Sequence, residues 1–332
     1  MENLISVIVC TYNQERTIGR TLDSILMQRC HVPFEIVIGE DCSTDHTRDV
    51  CEDYAARYPQ IRLFCNEHNK GIIDNYFDCI LASSGKYIAD CAGDDFWTDP
   101  LKLEKQVSIM EQHPHVSMVI TNWNFYDETS QKVRKGNQRK LDDITEGKRL
   151  LVDILTQTGM NTFHLCTSLY RADIVRTAHE ENKYLFRHKD FGCEDMQVAF
   201  CMALNGDIAY LDDTTLNYSI GRNSVSAAPD ETRQFRFVRQ VTNLSFYLTQ
   251  HYSLSSPRID TFFQKRIFAL YMHAFRAHSV QLRDEALRCE KEWRTSRTWP
   301  IRTISYIMHN EHLWNGALTA RRILVSVKRL FR

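Results

Sequence analysis

The sequence predicts an α/β fold: a mostly parallel sheet flanked by helices, with a helical C-terminal extension. Three observations carry this. Short apolar runs of strand length alternate with segments of helical period through roughly the first 125 residues, the pattern of a parallel sheet with helical crossovers. Polar clusters recur directly after those runs. From about residue 230 the strand-like runs give way to long helical patterns.

The elements follow in order. ISVIVC (5–10) reads as a short buried strand, and ERTIGRTLDSILMQ places Ile18, Leu22, Ile25 and Leu26 at helical spacing. FEIVIG (34–39) is the second strand. STDHTRDVCEDYAARY supplies Ser, Thr and Asp as helix starters before a helical pattern. IRLFC, GIIDNYFDCILASS and KYIADC give strand, helix, strand. DPLKLEKQVSIMEQH is a helix with Pro100 near its first turn, and VSMVIT is the fifth strand. Residues 127–149 are polar and read as a loop. CTSLYR (166–171) is a further strand, CEDMQVAFCMAL (193–204) a helix opening on acids, and IAYLDD and TTLNYSI two short strands.

At 332 residues and 43% apolar content, the chain can form one large domain, or one plus an appendage. We expect a boundary near residue 228: 1–228 as the ligand-binding and catalytic domain, 229–332 as a basic helical region. Charge divides similarly, with a net −12 over 1–230 and +11 over 231–332. No run approaches the roughly 18–20 apolar residues of a membrane span. The opening MENLISVIVC has no basic region before its apolar run and suits a first strand better than an export signal. None of the eleven cysteines forms a C-x-x-C pair, so zinc has no sequence signature, and the odd count suggests a reducing cytoplasm.

In a sheet of this kind ligands gather at the carboxyl ends of the strands. Three polar clusters fall there: Thr11-Tyr12-Asn13, Glu40-Asp41 and Asp94-Asp95. Adjacent aspartates repel each other and resist burial unless water, a cation or a ligand compensates them. A hard divalent cation, Mg²⁺ or Mn²⁺, would accept one or two such carboxylates together with phosphate oxygens. An acidic turn capping the next helix would explain the same pair.

SVIVCTYN, VIGEDCSTDHT, EHNKGIIDNY and GKYIADCAGDDFWTDPLKLEKQ, in this order, resemble glycosyltransferase family 2, in particular its bacterial members that build capsule and lipopolysaccharide glycans. The resemblance is close over 4–125 and looser over 160–226. It implies the GT-A fold, a Rossmann-like sheet, and inverting transfer from a nucleotide-sugar donor, a UDP-sugar being favoured, to a hydroxyl of a glycan or lipid-linked acceptor. By the same resemblance Thr11 and Tyr12 line the nucleobase pocket, Asp41 reads the base, Asp94 faces the ribose and Asp95 holds Mn²⁺ or Mg²⁺. The family more often has two aspartates where this chain has Glu40-Asp41. In CEDMQVAF, Asp195 matches the general base that takes the acceptor's proton and Glu194 an acceptor contact. Arg222, in SIGRNS, lies where the family often has a mobile loop over the donor. For Asp41, Glu194 and Asp195 a helix-capping role competes. His164, in NTFHLC, falls in the acceptor stretch, although a lone histidine among apolar residues is more often structural.

TARRILVSVKRLFR, at the C-terminus, is basic and amphipathic. It fits a peripheral contact with anionic lipid on the inner face of the cytoplasmic membrane, and equally a packed helix with a solvated basic face. Nucleic acid is not an expected partner, because the sheet region is acidic. A nucleotidyltransferase or an oxidoreductase would want a glycine-rich loop after strand one, where CTYNQERT stands. A non-catalytic nucleotide-sugar-binding assembly protein is the rival of another class.

Overall fold

The computed structural model describes residues 2–136, 141–158, 163–221 and 230–330, with side chains from 3 to 321 of these. The chain divides into two compact units, Met1–Gly221 and Arg222–Arg332.

The first unit begins β1 (Glu2–Thr11), α1 (Ile18–Leu26), β2 (Phe34–Glu40), α2 (Thr47–Arg57), β3 (Ile61–Cys65), α3 (Ile72–Ala82), β4 (Gly85–Asp90), β5 (Phe96–Trp97) and α4 (Lys102–Gln112). It continues β6 (Val116–Asp127), β7 (Lys132–Lys135), β8 (Ile144–Thr145), α5 (Leu151–Leu155), β9 (Leu169–Arg171), α6 (Ala172–Glu181), α7 (Lys183–Arg187), α8 (Glu194–Asn205) and β10 (Asp207–Ile220). One sheet runs β3-β2-β1-β4-β9-β6-β10-β5, with β7 on β6 and β8 on β10. β1, β2, β3 and β4 are mutually parallel, as are β6 and β10, while β9 lies antiparallel between β4 and β6. This is the expected mostly parallel sheet flanked by helices.

The core explains the pattern. Ile5, Val7 and Val9 of β1 meet Ile36 and Ile38 of β2 and Ile18, Leu22 and Ile25 of α1, all buried. Ile8 and Val37 are buried on the other face as well. That two-sided burial is why these strands are continuous apolar runs. Arg171, ending β9, donates to the carbonyl of Met110 at 3.1 Å, one that the end of α4 leaves open, and to that of Val116, the first residue of β6, at 2.8 Å.

Three expectations need correction. The stretch read as a loop carries β7, β8 and a 3-10 turn over Gly147–Leu150. β7 (KVRK) is exposed at every residue and held by its ladder to β6, so it has no apolar alternation to reveal it. The two late strands are one, β10, whose register shifts beside Leu211 and Thr214 where Asp212 and Asp213 interrupt the apolar pattern. CTSLYR is strand only over its last three residues; Leu165–Thr167 is a 3-10 turn.

The second unit is helical: α9 (Glu231–His251), α10 (Pro257–Ala277), α11 (Val280–Glu292), α12 (Trp299–His309) and α13 (Glu311–Leu330). The apolar stripe of α10 is buried at Phe262, Phe263, Ile267, Leu270, Tyr271, Ala274 and Phe275. Phe263 packs on Phe246 and Trp293, and Phe275 stacks on Trp314. Glu231 ties α9 to α10 by accepting from Arg276 and pairing with His273. Among the described residues no helix is long and apolar enough to cross a membrane.

Candidate functional site

The carboxyl ends of β1, β2 and β4 lie side by side, and the loops leaving them are laced together. Asn13 sits at φ +54° and accepts from Thr44 through Oδ1, while its N–H donates to Ser43 Oγ at 3.0 Å. Gln14 N–H donates to Thr47 Oγ1 at 2.7 Å. Thr11 is buried and donates to Gln14 Oε1 at 2.8 Å, whereas the Tyr12 ring is 45% exposed and free to meet a flat ligand. A Cβ on Gly93 would strike the Thr11 and Gln14 side chains, so only glycine lets the β4 loop approach β1 this closely.

Asp41 is buried and heavily engaged. Its Oδ1 accepts from Asn66 Nδ2 at 2.9 Å and Lys70 N at 2.8 Å, and its Oδ2 from Gly71 N at 2.9 Å. Gly71 stands at φ +82°. Asp41 therefore anchors the 66–71 loop, and of a carboxylate's roughly four acceptor positions the one left is on Oδ2. Its neighbour Glu40 is fully buried, accepting from Ser43 N and pairing with Arg48 at 2.8 Å.

The aspartate pair splits by environment. Asp94 is partly exposed, and burial of the rest of the group raises its pKa. Its carbonyl accepts from Arg20 Nη2 at 3.0 Å and Ser219 Oγ at 2.6 Å. Asp95 is fully buried; its Oδ1 accepts from Ser219 N at 2.9 Å, and its Oδ2 has no hydrogen-bond partner. Burial, and then the Asp94 charge, hold the Asp95 carboxyl well above the usual carboxylate range. Arg20 also pairs with Glu128 and lies over the rings of Phe96 and Tyr126, so one α1 residue fastens the aspartate turn to β6. Neither Arg20 nor Ser219 carries a local motif; each is far from Asp94 in sequence. Arg20→Ala is expected to cost about 2 kcal/mol and to loosen the turn, a fall in melting temperature checking it.

Glu194 and Asp195 open α8, each partly exposed at one side and hemmed in by protein on the others. Burial raises both carboxyls, and the Asp195 charge raises Glu194 further. Asp195 lines a narrow cavity with His164, Phe163, Ile120 and Ser168. Its charge is also felt at Asp90 and Asp95, so the acid of α8 lies within electrostatic reach of those at and after the end of β4. Arg222 lies outside the described residues.

Asp90 and Lys102 carry no sequence signal for a role, and His164 reads from sequence as more often structural. Asp90, ending β4, is buried, and burial raises its pKa to about 8, hydrogen bonding to the Tyr76 and Tyr170 hydroxyls pulling the other way. Those hydroxyls lie 2.6 Å apart. Lys102 is fully buried, 2.8 Å from Gln106 Oε1 and above the Trp97 ring, and burial brings its pKa down to about 7. His164 packs edge-on to Tyr218 and against Trp123, its Nδ1 is unpartnered, and burial lowers its pKa to about 4. A ring nitrogen of His164, the Cys166 sulfur and an Asp95 oxygen lie within 4.8 Å of one another.

Residues 6–177 match the family model described as glycosyl transferase family 2. The chain belongs to glycosyl transferase family 2. An uncharacterized protein of Mycobacterium tuberculosis is 44% identical over 115 residues, 34% of this chain and 33% of that protein. The match thus spans a third of the length of such relatives. An uncharacterized glycosyltransferase of Haemophilus influenzae is 28% identical over 256 residues, 75% of this chain and 76% of its own. Among solved structures, S. aureus TarS 1–349 in complex with UDP-GlcNAc superposes with a TM-score of 0.56 at 17% identity, covering 91% of this chain and 90% of TarS 1–349. The mannosyltransferase PcManGT from Pyrobaculum calidifontis, in complex with GDP-Man and Mn²⁺, gives 0.53 at 16%, covering 95% and 86%. At these identities the structures establish the GT-A fold.

Proposed function

We propose that this family 2 protein is an inverting glycosyltransferase. It moves a sugar from a nucleotide-diphosphate sugar, a UDP-sugar first, to a hydroxyl of a glycan or lipid-linked acceptor in cell-surface polysaccharide synthesis. The observation that carries the reading is the meeting of two kinds of acid at one sheet end: a compensation-seeking pair after β4, and a separate, partly exposed carboxylate, Asp195, on a cavity beside it. The first suits a diphosphate donor, the second a hydroxyl that must lose a proton.

In this reading Tyr12 stacks on the base above Thr11, and the free position on Asp41 Oδ2 receives a base N–H. Asp94 takes the ribose. Asp195 accepts the acceptor's proton as its oxygen attacks the anomeric carbon, and Glu194 contacts the acceptor. Arg222 is assigned to the donor from its sequence position alone. Asp95, with one buried oxygen unpartnered, fits a divalent cation, which would stabilise charge on the departing diphosphate. The basic C-terminal segment is proposed to meet anionic lipid. Deleting 317–332 should release the protein from anionic liposomes, and unchanged co-sedimentation would remove that assignment.

Thermal shift with a panel of nucleotide diphosphates and their sugars, followed by release of the diphosphate in the presence of acceptor glycans, tests the central reading. Stabilisation by one nucleotide-sugar set supports it. No stabilisation by any, with or without divalent cations, would sink it.

A further inference from the structure

We propose that Asp95, His164 and Cys166 together form a binding site for a borderline divalent transition ion of the Zn²⁺ class. The inference deepens, and rests on, the reading of Asp95 as the residue that holds a cation.

The donors are the first argument. An Asp95 oxygen, a His164 ring nitrogen and the Cys166 sulfur lie within 4.8 Å of one another. Ligand atoms around a tetrahedral ion are separated by roughly 3.5 Å, so no pair in the cluster has to close by more than about 1.3 Å to meet one. An oxygen–nitrogen–sulfur set selects Zn²⁺ or Co²⁺ and mismatches Mg²⁺, which wants oxygen and water alone.

The second argument is what these atoms lack. Asp95 Oδ2 and His164 Nδ1 are buried without a hydrogen-bond partner, an arrangement native proteins seldom leave unexplained. A similar trio at the surface, Cys30, His31 and Glu104, makes the contrast. There His31 Nδ1 is bonded to Glu104 at 2.8 Å and His31 Nε2 to Glu111 at 3.2 Å, so its donors are already spent.

The third argument is the support behind the ligands. Ala92 N–H donates to Cys166 Sγ at 3.3 Å, a contact that favours a thiolate, and Trp97 Nε1–H fixes the Cys166 carbonyl at 3.0 Å. Ser219 N–H holds the other Asp95 oxygen. Tyr218 and Trp123 set the plane of the His164 ring. Outer contacts of this kind orient metal ligands in metal sites generally. His164 is partly exposed and lines the cavity that Asp195 reaches, which gives an ion a way in.

Co²⁺ titration of the full chain tests the site. The expected result is a saturable thiolate-to-cobalt charge-transfer band, removed by stoichiometric Zn²⁺ and unmoved by a large excess of Mg²⁺. Cys166→Ser should abolish the band, His164→Gln should weaken Co²⁺ affinity at least tenfold, and Cys30→Ser should leave both unchanged. If Cys166→Ser does not fold, judged by circular dichroism, His164→Gln decides. A band that survives Cys166→Ser, affinity unchanged in His164→Gln, or no band in the wild type overturns the proposal. Nucleotide-sugar binding in Mg²⁺ is measured beside it. Donor binding without the cobalt band overturns this site and leaves the transferase reading standing. The band without binding of any donor supports the site and counts against the transferase.

Discussion

Replacing Asp195 by asparagine should lower sugar transfer by about 10²–10⁴-fold, the usual worth of a positioned general base, while changing nucleotide-sugar affinity by no more than a few-fold. The amide keeps the shape of the side chain and loses its capacity to take a proton. The affinity should hold because the loops proposed to meet the donor, around Thr11, Tyr12 and Asp41, are built on β1 and β2, whereas Asp195 belongs to the first turn of α8. Calorimetry with donor alone and a diphosphate-release assay separate the two quantities. Turnover retained in the variant would remove Asp195 as base. The pH dependence has a definite sign. Burial raises the Asp195 carboxyl, and the base works only when ionised, so activity should fall in acid at a higher pH than an unperturbed carboxylate would give. Its neighbour Glu194 is raised as well, by burial and then by the Asp195 charge.

The largest effect on stability is expected at Asp90. Its folded-state pKa is about 8, far above the roughly 3.9 of an unfolded chain. The folded protein therefore binds the extra proton. The stability this provides is complete below the unfolded value and declines as pH rises toward the folded one. Relative to Asp90→Asn, the wild type should lose on the order of 1 kcal/mol per pH unit between about pH 5 and 8, read as urea midpoints for both proteins. Lys102, which burial brings down to about 7, works in the opposite sense from there upward, and losing the Asp90 charge lowers it further in the variant. Parallel pH profiles for the two proteins would show that Asp90 is not the proton holder.

The fold was legible wherever structure is local. Ile5, Val7 and Val9 announce a strand because β1 is buried on both faces, and Ile18, Leu22 and Ile25 announce the helix that covers it. The polar clusters after β1, β2 and β4 could be placed at strand ends from the order of elements alone, and those strands are neighbours in the sheet. What escaped depends on long-range pairing. Arg20 and Ser219 clasp the aspartate turn from 74 and 125 residues away. β9 is three residues long and takes its place only through ladders to β4 and β6. Asp212 and Asp213 seemed to split a strand because their partners, Asn122 and Lys105, are invisible to periodicity. His164 looked structural, since nothing near it in sequence shows that the remote Asp95 comes within reach of it and of Cys166.

The clasp of Ser219 on Asp95 bears on how the protein is made. Synthesis runs from the amino end, so β1, β2 and β4 emerge first and the residue that completes the acidic turn after β4 emerges among the last of the first unit. Until β9 has been translated, β4 and β6 each expose an unpaired edge, a hazard for association with other nascent chains. A ribosome stalled before residue 219 would thus carry a chain rich in finished strands whose acidic turn still lacks its clasp.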